Sequence, residues 1–217
     1  MLKCALVFAA SLGLIGASAA YPGEKLTFPD PAVDVPAATS TETAVLAGGC
    51  FWGMEGVFER IKGVKKVVSG FAGGDKSTAH YETVSTGTTG HAESVQITFD
   101  PAQITYGQLL KVYFSVAHDP TELNRQGPDT GTQYRSAIFY VNDDQKRVAE
   151  AYIKQLDAAQ VFSRPIVTEV VPLKGFYAAE SYHQHFLDSH MDMPYIVYND
   201  VPKILALKKE YPQLCKR

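Results

Sequence analysis

Ala44-Val45-Leu46-Ala47-Gly48-Gly49-Cys50-Phe51-Trp52-Gly53-Met54-Glu55-Gly56-Val57-Phe58-Glu59-Arg60-Ile61 is the stretch on which the reading of this chain turns. Four apolar residues stopping at two glycines predict a short strand over 44–47. Met54, Val57, Phe58 and Ile61 then recur at helical spacing, so 50–62 reads as an amphipathic helix ended by Gly63. A strand that turns through Gly48-Gly49 directly into a helix opens a β–α unit, and it places Cys50 at the helix N-terminus.

Outward from there, strands and helices alternate. Residues 64–71 read as a strand and 94–99 as another, with Val95, Ile97 and Phe99 alternating against Ser94, Gln96 and Thr98. A helix is predicted over 106–117, a polar loop over 118–133, a strand over 134–141, a helix over 143–160 and a strand over 166–171. Residues 176–188 read as helical, and a last short helix covers 201–211. The order predicts an α/β (α+β) fold, a two-layer mixed sheet with packed helices.

The chain has 217 residues, 46% of them hydrophobic, which is enough to bury a real core and excludes a disordered or fibrous protein. Twenty Lys+Arg against 23 Asp+Glu give a net charge of −3, so no basic excess points to nucleic acid or an anionic membrane. Met1 to Ala20 carries one charge, Lys3, then an apolar run closing on Ala17-Ser18-Ala19-Ala20, the form of a cleavable export signal. Residues 21–43, with Pro22, Pro29, Pro31 and Pro36, read as an extended arm or linker. The expected domain runs over 44–200, followed by a tail over 201–217. Export places the mature chain in the periplasm or outside the cell, where disulfides persist.

Three cysteines, Cys4, Cys50 and Cys215, are too few for a disulfide scaffold and lack zinc-site spacing. Cys4 leaves with the signal. Cys50 sits where unpaired N–H groups and the helix dipole favour thiolate, which makes it a candidate nucleophile. A small buried hydrophobe at a strand end would read the same way. Cys215, after Tyr211-Pro212 in a tail expected to be flexible, suits a second thiol that condenses onto a sulfenic acid. A static Cys50–Cys215 disulfide and an unpaired tail thiol are the other readings, and position alone does not choose among them.

Four blocks decide more. Gly49-Cys50-Phe51-Trp52-Gly53 comes first; Gly70-Phe71-Ala72-Gly73-Gly74 with Tyr81, Val84, Gly87 and Thr89-Gly90-His91-Ala92-Glu93 is second. Asn124-Arg125-Gln126-Gly127-Pro128-Asp129-Thr130-Gly131-Thr132-Gln133-Tyr134-Arg135-Ser136 is third, and Ala179-Glu180-Ser181-Tyr182-His183-Gln184 fourth. In this order, over roughly residues 43–200, they resemble the peptide methionine sulfoxide reductase A family. Phe71 stands where many relatives have Tyr.

The resemblance implies a ferredoxin-like core and thiol-dependent reduction of methionine S-sulfoxide, free or in proteins. Cys50 would attack the sulfoxide sulfur and Glu93 would protonate its oxygen. Tyr81, Tyr134 and Asp129 would supply polar contacts, while Phe51 and Trp52 hold the S-methyl group. Cys215 would resolve the sulfenic acid to a disulfide, recycled by an external thioredoxin-type dithiol. The resemblance implies no metal, no bound cofactor, no stable membrane association and a monomer. Two other classes remain: a papain-like thiol hydrolase using Cys50 and His183, and a secreted module held by one disulfide. His183, His185 and His190 invite a metal, but residues two apart on a helix diverge and none of them has a partner at i+4.

Overall fold

A computed structural model describes residues 28–35 and 40–216. The predicted export signal over 1–20 and the first part of the arm lie outside them. Strand β1 (Glu42–Gly48) leads into helix α1 (Phe51–Glu59), β2 (Val64–Ala72), the short helix α2 (Tyr81–Val84) and β3 (Ala92–Phe99). Helix α3 (Tyr106–Val112) runs on into a π-helical turn, Tyr113–Ala117. A small hairpin of β4 (Arg125–Gln126) and β5 (Asp129–Thr130) precedes β6 (Ser136–Tyr140) and α4 (Asp143–Ala158). Strands β7 (Glu169–Pro172) and β8 (Phe176–Ala178), then α5 (Phe186–Ser189) and α6 (Val201–Glu210), complete the chain.

The main sheet has the order β7-β6-β1-β3-β2-β8. Its centre, β6-β1-β3-β2, with α1 between β1 and β2 and α3 between β3 and β6, is the split β-α-β of a ferredoxin-like core. β3 runs antiparallel to both neighbours, while β7 adds parallel to β6 after α4, so the sheet is mixed as expected. On one face Leu46, Val95, Ile97 and Ile138 pack with Phe51, Met54, Val57 and Phe58 of α1. Each such side chain is worth about 1.5–3 kcal/mol on burial. The other face carries mostly small residues, Ala47, Ala72, Ala92 and Ala137, with Val45 and Phe139. Consequently β1 reads as a continuous apolar run, whereas β3 keeps its alternation.

A buried polar network fixes the end of β1 just before the turn to Cys50. Tyr113 Oη donates to Ala47 O at 2.7 Å, Ser136 Oγ lies 2.9 Å from it, and His118 Nε2 lies 2.7 Å from Ser136 Oγ. Burial holds His118 down to a pKa of about 3, so this histidine is a neutral strut.

Three expectations are corrected. Residues 176–188 do not form one helix. Phe176 pairs with Ala72 across β8 and β2, and Gln184 then extends the sheet edge by accepting from Ser69 N–H and donating to Ser69 O, both at 3.0 Å. Those contacts outcompete helical bonds. Helix α1 stops at Glu59 rather than residue 62, because the backbone of residues 60–62 pairs with the C-terminus instead. Lys216 N–H donates to Arg60 O at 2.8 Å, Lys62 N–H donates to Leu214 O at 2.7 Å, and Ile61 bridges Cys215. The tail expected to be flexible is therefore docked.

Residues 28–35 of the expected arm lie against α3 and α4. Pro29 O accepts from Tyr152 Oη at 2.9 Å, and Asp34 accepts from Gly107 N–H at 2.9 Å and from Thr105 Oγ1 at the start of α3. Asp34 thus serves the unpaired N–H groups of that helix. Asp34→Ala is expected to lower stability by about 1–2 kcal/mol in urea titration, as loss of a helix cap does; an unchanged midpoint would show that the segment is merely adjacent.

Candidate active site

Gly49 has φ +90°, and a Cβ there would fall 2.5 Å from Gln126 Cγ, so the turn into α1 requires glycine. The turn leaves Cys50 as the N-cap residue of α1, only 8% exposed. The next backbone N–H, that of Phe51, donates to Glu93 Oε2 at 3.1 Å. Glu93 arrives from β3, where it pairs in register with Phe71 of β2. One hydrogen bond therefore joins the helix that Cys50 caps to the strand that carries Glu93.

Cys50, Phe51, Trp52, Tyr81, Glu93, Asp129 and Tyr134 line a single cavity of about 210 Å³, together with Met193 and Tyr195. Seven of the eight predicted site residues thus converge. Cys215 does not: it sits beside Ile61, beyond the far end of α1. Eleven residues at 1.5 Å rise put the two ends on the order of 15 Å apart. Both thiols are free, which removes the reading of a static staple.

Burial decides the electrostatics. It pushes Glu93, with Asp129 adding to it, up to a pKa of about 8 against the pull of the Phe51 N–H. Glu93 is therefore mostly a neutral acid at pH 7, as the resemblance implies. Cys50 departs from expectation: burial first, then Glu93 and Asp200, raise its pKa well above the usual thiol range, outweighing the Trp52 N–H and the Lys203 ammonium. The helix N-terminus acts in the predicted direction, but it loses. Burial likewise raises the phenols of Tyr81 and Tyr134, which stay protonated and able to donate.

The fourth sequence block is scaffolding. Glu180 accepts from Tyr81 N–H at 3.1 Å, and His183 Nδ1 accepts from Trp52 Nε1–H at 3.2 Å. With Nδ1 engaged by the indole, His183 holds the aromatic wall. Among the described residues no hydrogen bond joins it to Cys50, so the thiol-hydrolase pairing is absent. Phe186 stacks on Trp52 with centroids 3.8 Å apart.

Four contributors escaped the sequence reading. Tyr195 donates its hydroxyl to Asp129 Oδ2. Asp200, fully buried, pairs with Lys203 at 3.2 Å under the first turn of α1, and a Cβ on Gly53 would fall 2.1 Å from Asp200 Oδ1. Lys203 and Asn199 line a second opening of about 100 Å³ that also reaches Cys50. Nothing in their spacing marks these residues, since Tyr195 and the 79% exposed Tyr198 share one aromatic run.

The peptide methionine sulfoxide reductase family model matches residues 42–214. The chain belongs to that family. The reductase is 61% identical over 182 residues to peptide methionine sulfoxide reductase MsrA 2 of Mesorhizobium japonicum, covering 84% of this chain and 93% of that protein. It is 48% identical over 171 residues to the MsrA of Sulfolobus acidocaldarius, covering 79% and 96%. Among solved structures, reduced Mxr1 from Saccharomyces cerevisiae superposes with a TM-score of 0.63 at 35% identity, over 70% of this chain and 87% of that one. Methionine sulfoxide reductase A of Corynebacterium diphtheriae gives 0.60 at 39%, over 70% and 76%. The reductase's activity is therefore reduction of peptide methionine sulfoxide, on an MsrA fold.

Two predictions follow from the charges. A carboxyl raised from 4.5 to about 8 on folding keeps its proton where the unfolded chain loses it. Glu93 thus costs stability progressively as pH rises through that window and adds no further cost above it. Glu93→Gln should gain on the parent by about 4 kcal/mol between pH 5 and 9, at 1.36 kcal/mol per unit, in urea titrations. Parallel pH curves would contradict it. Asp200→Asn, removing a negative charge beside Cys50, should speed iodoacetamide alkylation of Cys50 severalfold, whereas Lys203→Met should slow it; shifts of the same sign would disprove opposed action.

Proposed function

We propose that the reductase acts on the S epimer of methionine sulfoxide, protein-bound or free, by moving its oxygen to Cys50. The observation that carries this reading is one cavity holding a thiol, a neutral buried carboxyl and two phenols opposite an aromatic wall. Phe51 and Trp52 face the substrate's S-methyl group, and Tyr81 and Tyr134 donate to the sulfoxide oxygen where negative charge develops. Glu93 Oε2 accepts from Phe51 N–H, so the acid's proton is available at Oε1 for that oxygen.

Electrostatics couple the steps. While Glu93 is neutral, its contribution to the Cys50 thiol's raised pKa is absent, leaving the Trp52 N–H and Lys203 to favour the thiolate against burial and Asp200. Cys50 sulfur bonds to the sulfoxide sulfur as the oxygen takes the proton of Glu93, and the thiol's own proton passes to the Glu93 carboxylate so formed. Collapse then breaks both the sulfur–sulfur bond and the sulfur–oxygen bond of methionine as the hydroxyl passes to Cys50 sulfur, releasing methionine. Methionine sulfur is reduced by two electrons and Cys50 is oxidised by two, to a sulfenic acid. The chemistry draws on these side chains and an external dithiol.

Cys215 resolves that sulfenic acid by forming a disulfide and releasing water. A disulfide needs Cα atoms within about 7 Å, so residues 212–216 must first leave the backbone of residues 60–62. Lys62 Nζ, which donates to Gln213 O at 2.8 Å, and the packing of Leu214 and Cys215 against the core must give way with them. An external thioredoxin-type dithiol then reduces the disulfide by exchange. We further infer export directed by residues 1–20, a monomer, and repair of oxidised proteins as the role. No helix among the described residues is long and apolar enough to cross a membrane.

Turnover of each epimer with dithiothreitol tests the chemistry. The S epimer should be consumed and the R epimer spared, and Glu93→Gln should lose about 10²–10⁴-fold in kcat. Equal turnover of both epimers would contradict the assigned pocket. For recycling, peptide mapping after one turnover without reductant should recover Cys50 joined to Cys215. A lasting sulfenic acid on Cys50 with Cys215 reduced would remove Cys215 from the cycle.

A further inference from the structure

A second group of titratable side chains lies outside the cavity. Glu55 and Glu59 are four apart on α1 and so share one face of it. Across from them stands His185, between the Ser69-bound Gln184 and α5, with a left-handed backbone at φ 54°. His185 Nδ1 lies 2.7 Å from Glu59 Oε1, and His185 N–H donates to Glu55 Oε2 at 2.9 Å. One donor atom from each of the three residues lies within 4.8 Å of the others.

The contacts among the three do not satisfy the group. Glu55 is 1% exposed, and its Oε1 is buried with no hydrogen-bond partner among the described residues. Ser69 bears on Glu55 in the direction of easing its ionisation, but the two oxygens do not meet hydrogen-bond geometry and Ser69 Oγ is itself partnerless. A buried carboxylate oxygen without a donor costs free energy. Here a second carboxylate stands beside it; His185 faces the pair, and Arg60 and Asp188 bear on Glu59 with opposite signs. Burial and the charge of Glu59 accordingly push Glu55 up to a pKa of about 7.

We propose that Glu55, Glu59 and His185 form a binding site for one divalent transition-metal ion. Carboxylate and imidazole ligands bind such an ion at about 2.0–2.2 Å, which sets tetrahedral donors about 3.3–3.6 Å apart, so donor atoms now within 4.8 Å of one another must close by up to about 1.5 Å, a movement within reach of side-chain rotation. Two carboxylates and one imidazole form a nitrogen–oxygen donor set suited to Zn²⁺ and its first-row neighbours. The ion gives Glu55 the partner it lacks and cancels the repulsion between the glutamates. His185 and Glu59 reach the surface, so water completes the coordination and the site has an entry. The histidines have no i+4 partner in sequence because the paired ligands are glutamates on another helix.

Such a site would tie α1 to the segment whose His183 and Phe186 hold Trp52. Its role is structural support of the aromatic wall, and it stands independently of the proposed chemistry. Metal-stripped, fully reduced protein should be titrated with Co²⁺ and followed by absorption and calorimetry, alongside His185→Ala and Glu59→Gln. These two reach solvent and lie outside the cavity, so their removal should leave the fold intact, which circular dichroism checks. The parent should bind one equivalent with d–d bands and no thiolate-to-cobalt charge transfer. Each variant should bind at least tenfold more weakly. Absence of saturable binding, parental affinity in either variant, or a thiolate charge-transfer band would overturn the assignment.

Discussion

The Phe51 N–H to Glu93 hydrogen bond sits where every other feature of the site meets. It uses a donor that the start of an α-helix always leaves unpaired and an acceptor that a central strand buries. Because β3 lies between β1 and β2, the acid is delivered beneath the helix that β1 feeds. Burial then does two things with one geometry. It keeps Glu93 protonated and it keeps Cys50 a thiol, so the resting pair is neutral in a low-dielectric cavity.

This neutrality changes the role of the helix N-terminus. A thiol exposed at such a position would be a standing thiolate, open to any oxidant. Here Cys50 is held close to the protonated acid, and Asp200 with Lys203 adjusts its charge from the opposite side of α1. In the proposed chemistry, reactivity therefore depends on a substrate that takes the proton of Glu93. The aromatic wall serves the same end. Trp52 is fixed by His183 through its indole N–H and by Phe186 through stacking, so the pocket is formed before substrate arrives.

Much of this was legible in residue order. The turn at Gly48-Gly49, the existence of α1 and the alternation in β3 were fixed by local spacing, although α1 is buried on nearly every side rather than amphipathic, and ordered motifs brought Glu93, Tyr81, Tyr134 and Asp129 to Cys50. Missing were effects that depend on distant packing. Residues 176–188 have helical character locally, yet strand β8 and Gln184 serve the sheet edge instead. Asp200 and Lys203 look like an ordinary i, i+3 surface pair until α6 lays them under Gly53. The last residues read as a free end because nothing local shows that residues 60–62 leave their backbone groups open to them. The dipole argument for Cys50 had the right sign, but burial, which sequence does not quantify, was the larger effect.

The account stands on a carboxyl that is neutral at physiological pH. Selective ¹³C labelling of glutamate, with the Glu93 resonance assigned by its loss in Glu93→Gln, would follow that carboxyl directly in the substrate-free protein. The shift should titrate with a midpoint near 8, far above the ordinary value of 4.5. A midpoint near 4.5 would show Glu93 ionised in the resting enzyme and contradict its proposed role as the proton donor beside Cys50.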